Sequence, residues 1–247
     1  MNKRSTINKK HLILPVSVLC LSTSLFAQAE EVSRELTWNA SAELGYIKTS
    51  GNSDTETLNT KFNGETSYNK WTHLLALEAL KSVSNDVRSA EKYRIEAQSD
   101  YDLGERSYAF GVANWENDNF NGLNYTASVA AGYGYKVIKT DTMKLNLETG
   151  PGYRIVKDDN GNTEEDSILR LTEGLSWKIS KTSTLDQNLK IETGDSNTET
   201  RFVIAMTNQV AGNLSMKVAY NIKHNSDVAA GVSNSDRETA ITLVYKL

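Results

Sequence analysis

Set aside a leader ending at Ala29, and the 247-residue chain keeps two histidines, His73 and His224, and no cysteine. His224 precedes Asn225, Ser226 and Asp227, the residue types of a Ser-His-Asp hydrolytic site. Such a site needs the base within hydrogen-bond reach of the nucleophile. The strand pattern described below puts His73 and His224 at opposite ends of the fold, so they share no site. A polar loop start is the simpler reading of His224, and the chain is not expected to be an enzyme. The stretch Asp158-Asp-Asn-Gly-Asn-Thr-Glu-Glu-Asp166 is acidic enough to hold Ca²⁺. Gly161 falls too early for an EF-hand loop, however, and Asp-Asn-Gly is a turn signal. A solvated loop is expected there, with no metal. Ser50-Gly51-Asn52-Ser53 reads as a tight surface loop whose Gly51 and Asn52 supply positive φ, with a ligand-binding turn as the alternative. No phosphate-binding glycine loop, Cys/His cluster or dinucleotide fingerprint occurs, so no cofactor is expected.

The charged residues on the polar parity of the strands are more informative. Glu43, Lys61, Glu65, Glu78, Arg94, Glu96, Asp100, Glu148, Arg170, Lys190, Glu192, Arg201 and Lys217 would line an enclosed lumen. Both signs occur, and charges withdrawn from bulk water are normally paired. Two arrangements satisfy that. The charges interlock across the lumen and seal it, or they line opposite walls and leave a narrow wet channel. Eight strands leave room only for side chains and 16–18 leave a channel. Twelve falls between, so strand count does not choose.

The elements that position these residues follow from period-two alternation. From Leu123 to Val137 one parity is Leu, Tyr, Ala, Val, Ala, Tyr, Tyr, Val, and the other is polar or small. A run of that length crosses a bilayer at a tilt, which takes about 9–11 residues. Twelve strands are predicted, near 36–48, 58–68, 71–83, 91–103, 107–116, 123–137, 143–155, 167–179, 184–193, 198–210, 214–223 and 237–247. Pro151 would cost the seventh a ladder hydrogen bond unless a bulge takes it. Glu173 falls on the apolar face of the eighth. Tight turns at Asn69-Lys70, Gly104-Glu105-Arg106 and Ala211-Gly212-Asn213 alternate with longer loops at 49–57, 84–90, 117–122, 157–166 and 225–236. Short periplasmic turns and longer extracellular loops mark an outer-membrane barrel. Trp38, Tyr68, Trp71, Tyr101, Tyr108, Tyr135, Trp177 and Tyr245 would form a periplasmic aromatic girdle. Tyr46, Tyr93, Tyr125, Tyr153, Phe202 and Tyr220 would form the outer one. The fold class is all-β, an antiparallel transmembrane β-barrel of about twelve strands. A soluble sandwich or lipocalin-like barrel would turn its apolar side inward instead.

The ends and the charge set the location. Lys3, Arg4, Lys9 and Lys10, then the apolar run 12–26, then Ala27-Gln28-Ala29 read as a cleaved secretory signal peptide, residues 1–29. The barrel domain is 30–247. Removing those four bases from 27 Lys+Arg leaves 23 against 31 Asp+Glu, a net charge of −8. That argues against a nucleic-acid partner. The last strand alternates to the terminus, through Thr239, Ile241, Leu243, Tyr245 and Leu247, as in the signal read by the barrel-assembly machinery. Outer-membrane lipid and lipopolysaccharide are the other expected partners, with small solutes or ions as cargo.

One stretch carries a resemblance. Glu43-Leu-Gly-Tyr-Ile-Lys-Thr-Ser-Gly-Asn-Ser-Asp-Thr-Glu-Thr-Leu-Asn59 is similar to the opening of the YdiY-like family of salt-induced outer-membrane proteins. Gly132-Tyr-Gly-Tyr135 and Glu148-Thr-Gly-Pro-Gly-Tyr153 resemble that family's glycine-rich strands. The resemblance runs from about Leu36 to Leu247. It implies an outer-membrane barrel and a link to salt or envelope stress, and no defined activity. The leading expectation is a small diffusion channel or solute pore. The competing one is a sealed structural or stress-response barrel acting through its surface loops. The third is an outer-membrane enzyme with its site near His224.

Overall fold

The computed structural model describes residues 36–49, 55–85, 87–118, 123–228 and 233–247. The leader segment and Ser50-Gly51-Asn52-Ser53 lie outside them. Twelve antiparallel strands follow one another: β1 (Thr37–Thr49), β2 (Thr55–Tyr68), β3 (Trp71–Ser84), β4 (Val87–Asp102), β5 (Ser107–Asp118), β6 (Leu123–Lys139), β7 (Met143–Asp158), β8 (Thr163–Lys178), β9 (Ser183–Thr193), β10 (Thr198–Ala211), β11 (Leu214–Asn225) and β12 (Ser235–Lys246). Each pairs with its neighbours in sequence. β12 returns to β1 through Ser41↔Lys246 to Leu44↔Leu243 and closes the barrel. The Leu247 N–H donates to the Ala40 carbonyl at 2.9 Å, so the chain terminus is tied into the seam. Closure leaves no unpaired edge, which a sheet in hydrocarbon requires.

Alternation decides what faces out. In β12, Ala240, Thr242 and Val244 are buried, while Ile241, Leu243 and Tyr245 are exposed. β3 behaves likewise despite its uniform apolarity: Trp71, Leu75 and Leu77 are exposed on the outer face. A wall of exposed Leu, Ile, Val and aromatic side chains around a closed sheet is a transmembrane surface, not a soluble one. On it, Trp71 stacks with His73 (centroids 5.8 Å) and tilts against Tyr101 at 4.9 Å.

Three expectations need correction, and the alternative left open at Pro151 is resolved. The loop placed at 84–90 contracts, because β3 runs on to Ser84 and β4 begins at its register partner Val87, with Asn85 at φ +49°. The loop at 157–166 contracts to 159–162, where Gly161 has φ +87° and Asp158 accepts from Asn162 N and Nδ2. Pro151 makes no bulge. β6 and β7 keep one register across it, with their pairing lapsing between Ala130↔Gly152 and Tyr133↔Thr149. There Gly132 and Gly150 let the two backbones close up. A Cβ on Gly132 would lie 2.1 Å from the Thr149 carbonyl oxygen and 2.6 Å from Gly150 Cα. Finally, Tyr108 does not belong to the periplasmic girdle. β5 turns Tyr108, Phe110 and Val112 inward, buried with Ala130, and leaves Ala109, Gly111 and Ala113 outside. The glycine at 134 makes the room, since a Cβ there would sit 2.2 Å from the Tyr108 ring.

Candidate functional site

The inward parity brings the charges into ordered rows. On one wall, Glu43, Lys61, Glu78, Arg94 and Glu116 are successive register partners from β1 to β5, alternating in sign. On the other, Lys190, Arg201 and Lys223 are partners across β9, β10 and β11, a row of one sign. Arg170, Glu192 and Glu199 form the adjacent row. With Arg170 this wall holds four cations against the two carboxylates of the adjacent row, so it needs more carboxylates from elsewhere.

They come from across the barrel. Glu116, on β5 and 2% exposed, reaches Arg201 Nη1 at 2.6 Å and Lys223 Nζ at 2.7 Å. β5 and β11 stand six strands apart in either direction round the closed ring, so these contacts cross the lumen. Glu96 on β4 takes Arg94 at 2.7 Å and lies 4.0 Å from Arg170 on β8. The bridges continue along both walls. Lys92 lies 3.5 Å from Glu116 and 3.8 Å from Asp118. Glu199 holds Arg201 at 2.5 Å, with Lys223 at 3.6 Å and Lys190 at 3.8 Å. Glu192 holds Arg170 at 2.7 Å, with Lys190 at 3.5 Å. Glu78 links Lys61 and Arg94 at 3.5 and 3.9 Å. Seven cations thus meet six carboxylates in one connected bar, leaving a slight positive excess.

The remaining anticipated lumen residues lie off this bar. Glu43 pairs with Lys217 at 2.9 Å beside the β1–β12 seam. Asp100 and Glu148 both accept from Gln98 Nε2 at 2.9 Å, and the Tyr108 hydroxyl donates to Glu148 at 2.9 Å, nearer the periplasmic end. Glu65 is exposed toward that same end. The bar's central members, Glu116, Glu199 and Lys223, were not among the anticipated residues. They sit near strand ends, where polar character reads as loop. Period-two counting from Tyr108, read as a girdle residue, turns Glu116 outward, so the misassigned parity of β5 hid it.

At the extracellular mouth, Asp166 is also inward rather than part of a solvated acidic loop. It is 7% exposed and pairs with Arg154 at 3.1 Å. It accepts from the backbone N–H of Asp195 and Ser196 and from the Ser196 hydroxyl. Arg154 Nη2 donates to the Asn197 carbonyl at 2.7 Å, so the pair fixes the 194–197 turn. Among the described residues no group of His, Cys, Asp or Glu is arranged to hold a metal. His224 Nδ1 is 2.8 Å from the Ser235 hydroxyl. Ser226 instead donates to Asn197 Oδ1 and accepts from the Thr198 N–H, so the structure does not bring Ser226 to His224. His73 faces outward on β3, 2.9 Å from Ser99.

Comparison with known proteins agrees with this architecture. A family model described as "Protein of unknown function, DUF481" matches residues 42–247. The chain is 27% identical over 209 residues to the "Uncharacterized protein YdiY" of Escherichia coli (strain K12), covering 82% of this chain and 81% of that one. Among solved structures, the NanC porin superposes with a TM-score of 0.52 at 12% identity, over 84% of this chain and 100% of the porin. The translocator domain of the autotransporter NalP from Neisseria meningitidis gives a TM-score of 0.49 at 13% identity, over 87% and 90% of the respective chains.

Proposed function

The chain belongs to the DUF481 family, and from that premise we propose that it is an outer-membrane pore held closed at rest by its own ion pairs. The observation that carries this reading is the bar from Glu116 on β5 to Arg201 and Lys223 on the opposite wall. A lumen spanned by bonded side chains passes solute only when those bonds part. Broken pairs leave charges in a confined space, so the resting state is strongly favoured. The one-signed row Lys190, Arg201 and Lys223 makes small anions the preferred cargo once the bar opens. Partly exposed members such as Lys92 and Glu78 are open to screening by salt, which ties opening to ionic strength. The reading assigns no chemistry to His224.

The test is solute release from vesicles carrying the folded barrel. Wild-type protein retains a small trapped anion, and Glu116→Gln/Glu199→Gln, which takes both carboxylate partners from Arg201 and Lys223, releases it faster than a neutral solute of equal size. Arg201→Gln/Lys223→Gln reverses that preference. Release by wild type equal to that by both variants would favour a permanently open pore. Retention by all three, with folding verified, would favour a sealed scaffold.

A further inference from the structure

The lipid-facing wall carries, near mid-depth, a polar pair that the pore leaves unexplained. Glu173 on β8 and Gln187 on β9 belong to the outward parity, and Gln187 Nε2 donates to Glu173 Oε2 at 2.6 Å. Around them the outward positions are apolar. Glu173 registers with Leu147 on β7 and Leu189 on β9, and Gln187 with Leu175 and Ile204. Their depth follows from the strand. Trp177 marks the periplasmic girdle on β8, and Ser167, the partner of Tyr153, marks the outer one. At about 3.3 Å per residue and a tilt near 40°, that interval spans roughly 25 Å, the height of a barrel's apolar band. Glu173 lies about 10 Å above the lower girdle, close to the middle of the band.

Acyl chains offer such a pair nothing. One amide N–H and one carboxyl oxygen satisfy each other. The second amide N–H of Gln187 and the other carboxyl oxygen of Glu173 have no side-chain partner among the described residues. Unbonded polar groups in hydrocarbon are costly, and an intramembrane ionisable residue marks a functional surface. The leftover groups are one donor and one acceptor side by side, which makes the pair its own complement. A two-fold axis beside β8 and β9 sets the free N–H of each Gln187 against the free carboxyl oxygen of the other copy's Glu173 and packs the surrounding leucines together.

We infer that the β8–β9 face docks a second copy of this chain in the membrane, with Glu173 and Gln187 as its polar centre. The test uses the full chain in a Cys20→Ser background, folded into phosphatidylcholine vesicles and oxidised. Leu171→Cys, one step along the same face, forms disulfide-linked dimers, and Leu75→Cys, on the outer face of β3, does not. Adding Glu173→Leu/Gln187→Leu lowers the Leu171→Cys dimer yield by roughly tenfold, the order two membrane hydrogen bonds supply. Glu173→Gln, which still accepts a hydrogen bond, retains the dimer. Heat-dependent gel mobility verifies that each variant is a folded barrel. Equal cross-linking at Leu171→Cys and Leu75→Cys would overturn the inference, and so would a dimer yield unchanged by the double leucine substitution.

Discussion

Glu116→Gln is the sharpest perturbation of the lumen bar, because it removes a charge and almost no volume. The carboxylate faces Arg201 at 2.6 Å, Lys223 at 2.7 Å and Lys92 at 3.5 Å, and is 2% exposed. Removing one partner of a buried pair costs about 3–5 kcal/mol, mostly from the charge left behind. Arg201 keeps two bonds to Glu199, through Nε at 2.5 Å and Nη2 at 3.1 Å, so part of the compensation survives. The expected loss is therefore about 3 kcal/mol, at the low end of that range. Reversible urea unfolding of the barrel in phosphatidylcholine vesicles measures it. Lys223→Gln in the same background recovers part of the loss, with a coupling of about 1–3 kcal/mol in the double-mutant cycle. A change below about 0.5 kcal/mol, the range of an unremarkable surface substitution, would refute the reasoning: the lumen would then be wet enough for each charge to be solvated alone.

Three further outcomes follow from the same geometry. Gly132→Ala forces a Cβ to within 2.1 Å of the Thr149 carbonyl, so it costs about 1–3 kcal/mol of unfolding stability, whereas Gly111→Ala, with nothing within 4 Å, stays within about 0.5 kcal/mol. Asp166→Asn weakens the charge-assisted bonds to the 194–197 turn and to Arg154; hydrogen exchange at the Asp195 and Ser196 amides accelerates and stability falls by about 1.5–3 kcal/mol. Conductance rises more steeply than bulk conductivity between about 0.1 and 1 M KCl, as the screening length shrinks from about 10 to about 3 Å around the partly exposed Lys92, Glu78 and Glu96; strict proportionality in a bilayer recording would contradict a salt-weakened bar.

Strand count, order and closure were legible because alternation is a local signal and each strand pairs with its neighbour in sequence. The turns were less so. A positive φ at Asn85 shortens a connection that reads as a polar loop; Asn tolerates that conformation, but Asn-Asp-Val-Arg does not announce that both strands run up to it. β5 was misassigned at Tyr108 because its two parities differ in size more than in polarity, and the deciding feature, the bare Gly134 beneath the ring, lies on another strand. The anticipated lumen charges were read from parity alone, strand by strand. Which of them meet depends on contacts between opposite walls, and Glu116 with Lys223 is a pairing of residues 107 apart in sequence. Such a pair has no local signature, so the bar emerges only when the ring is closed.

The most direct measurement of a lumen closed by ion pairs is single-channel recording of the folded protein in a planar bilayer, wild type beside Glu116→Gln/Glu199→Gln. The account predicts a wild type that is silent or shows rare brief steps, and a variant with steady, anion-selective conductance. Steady wild-type conductance that the substitutions leave unchanged would contradict it.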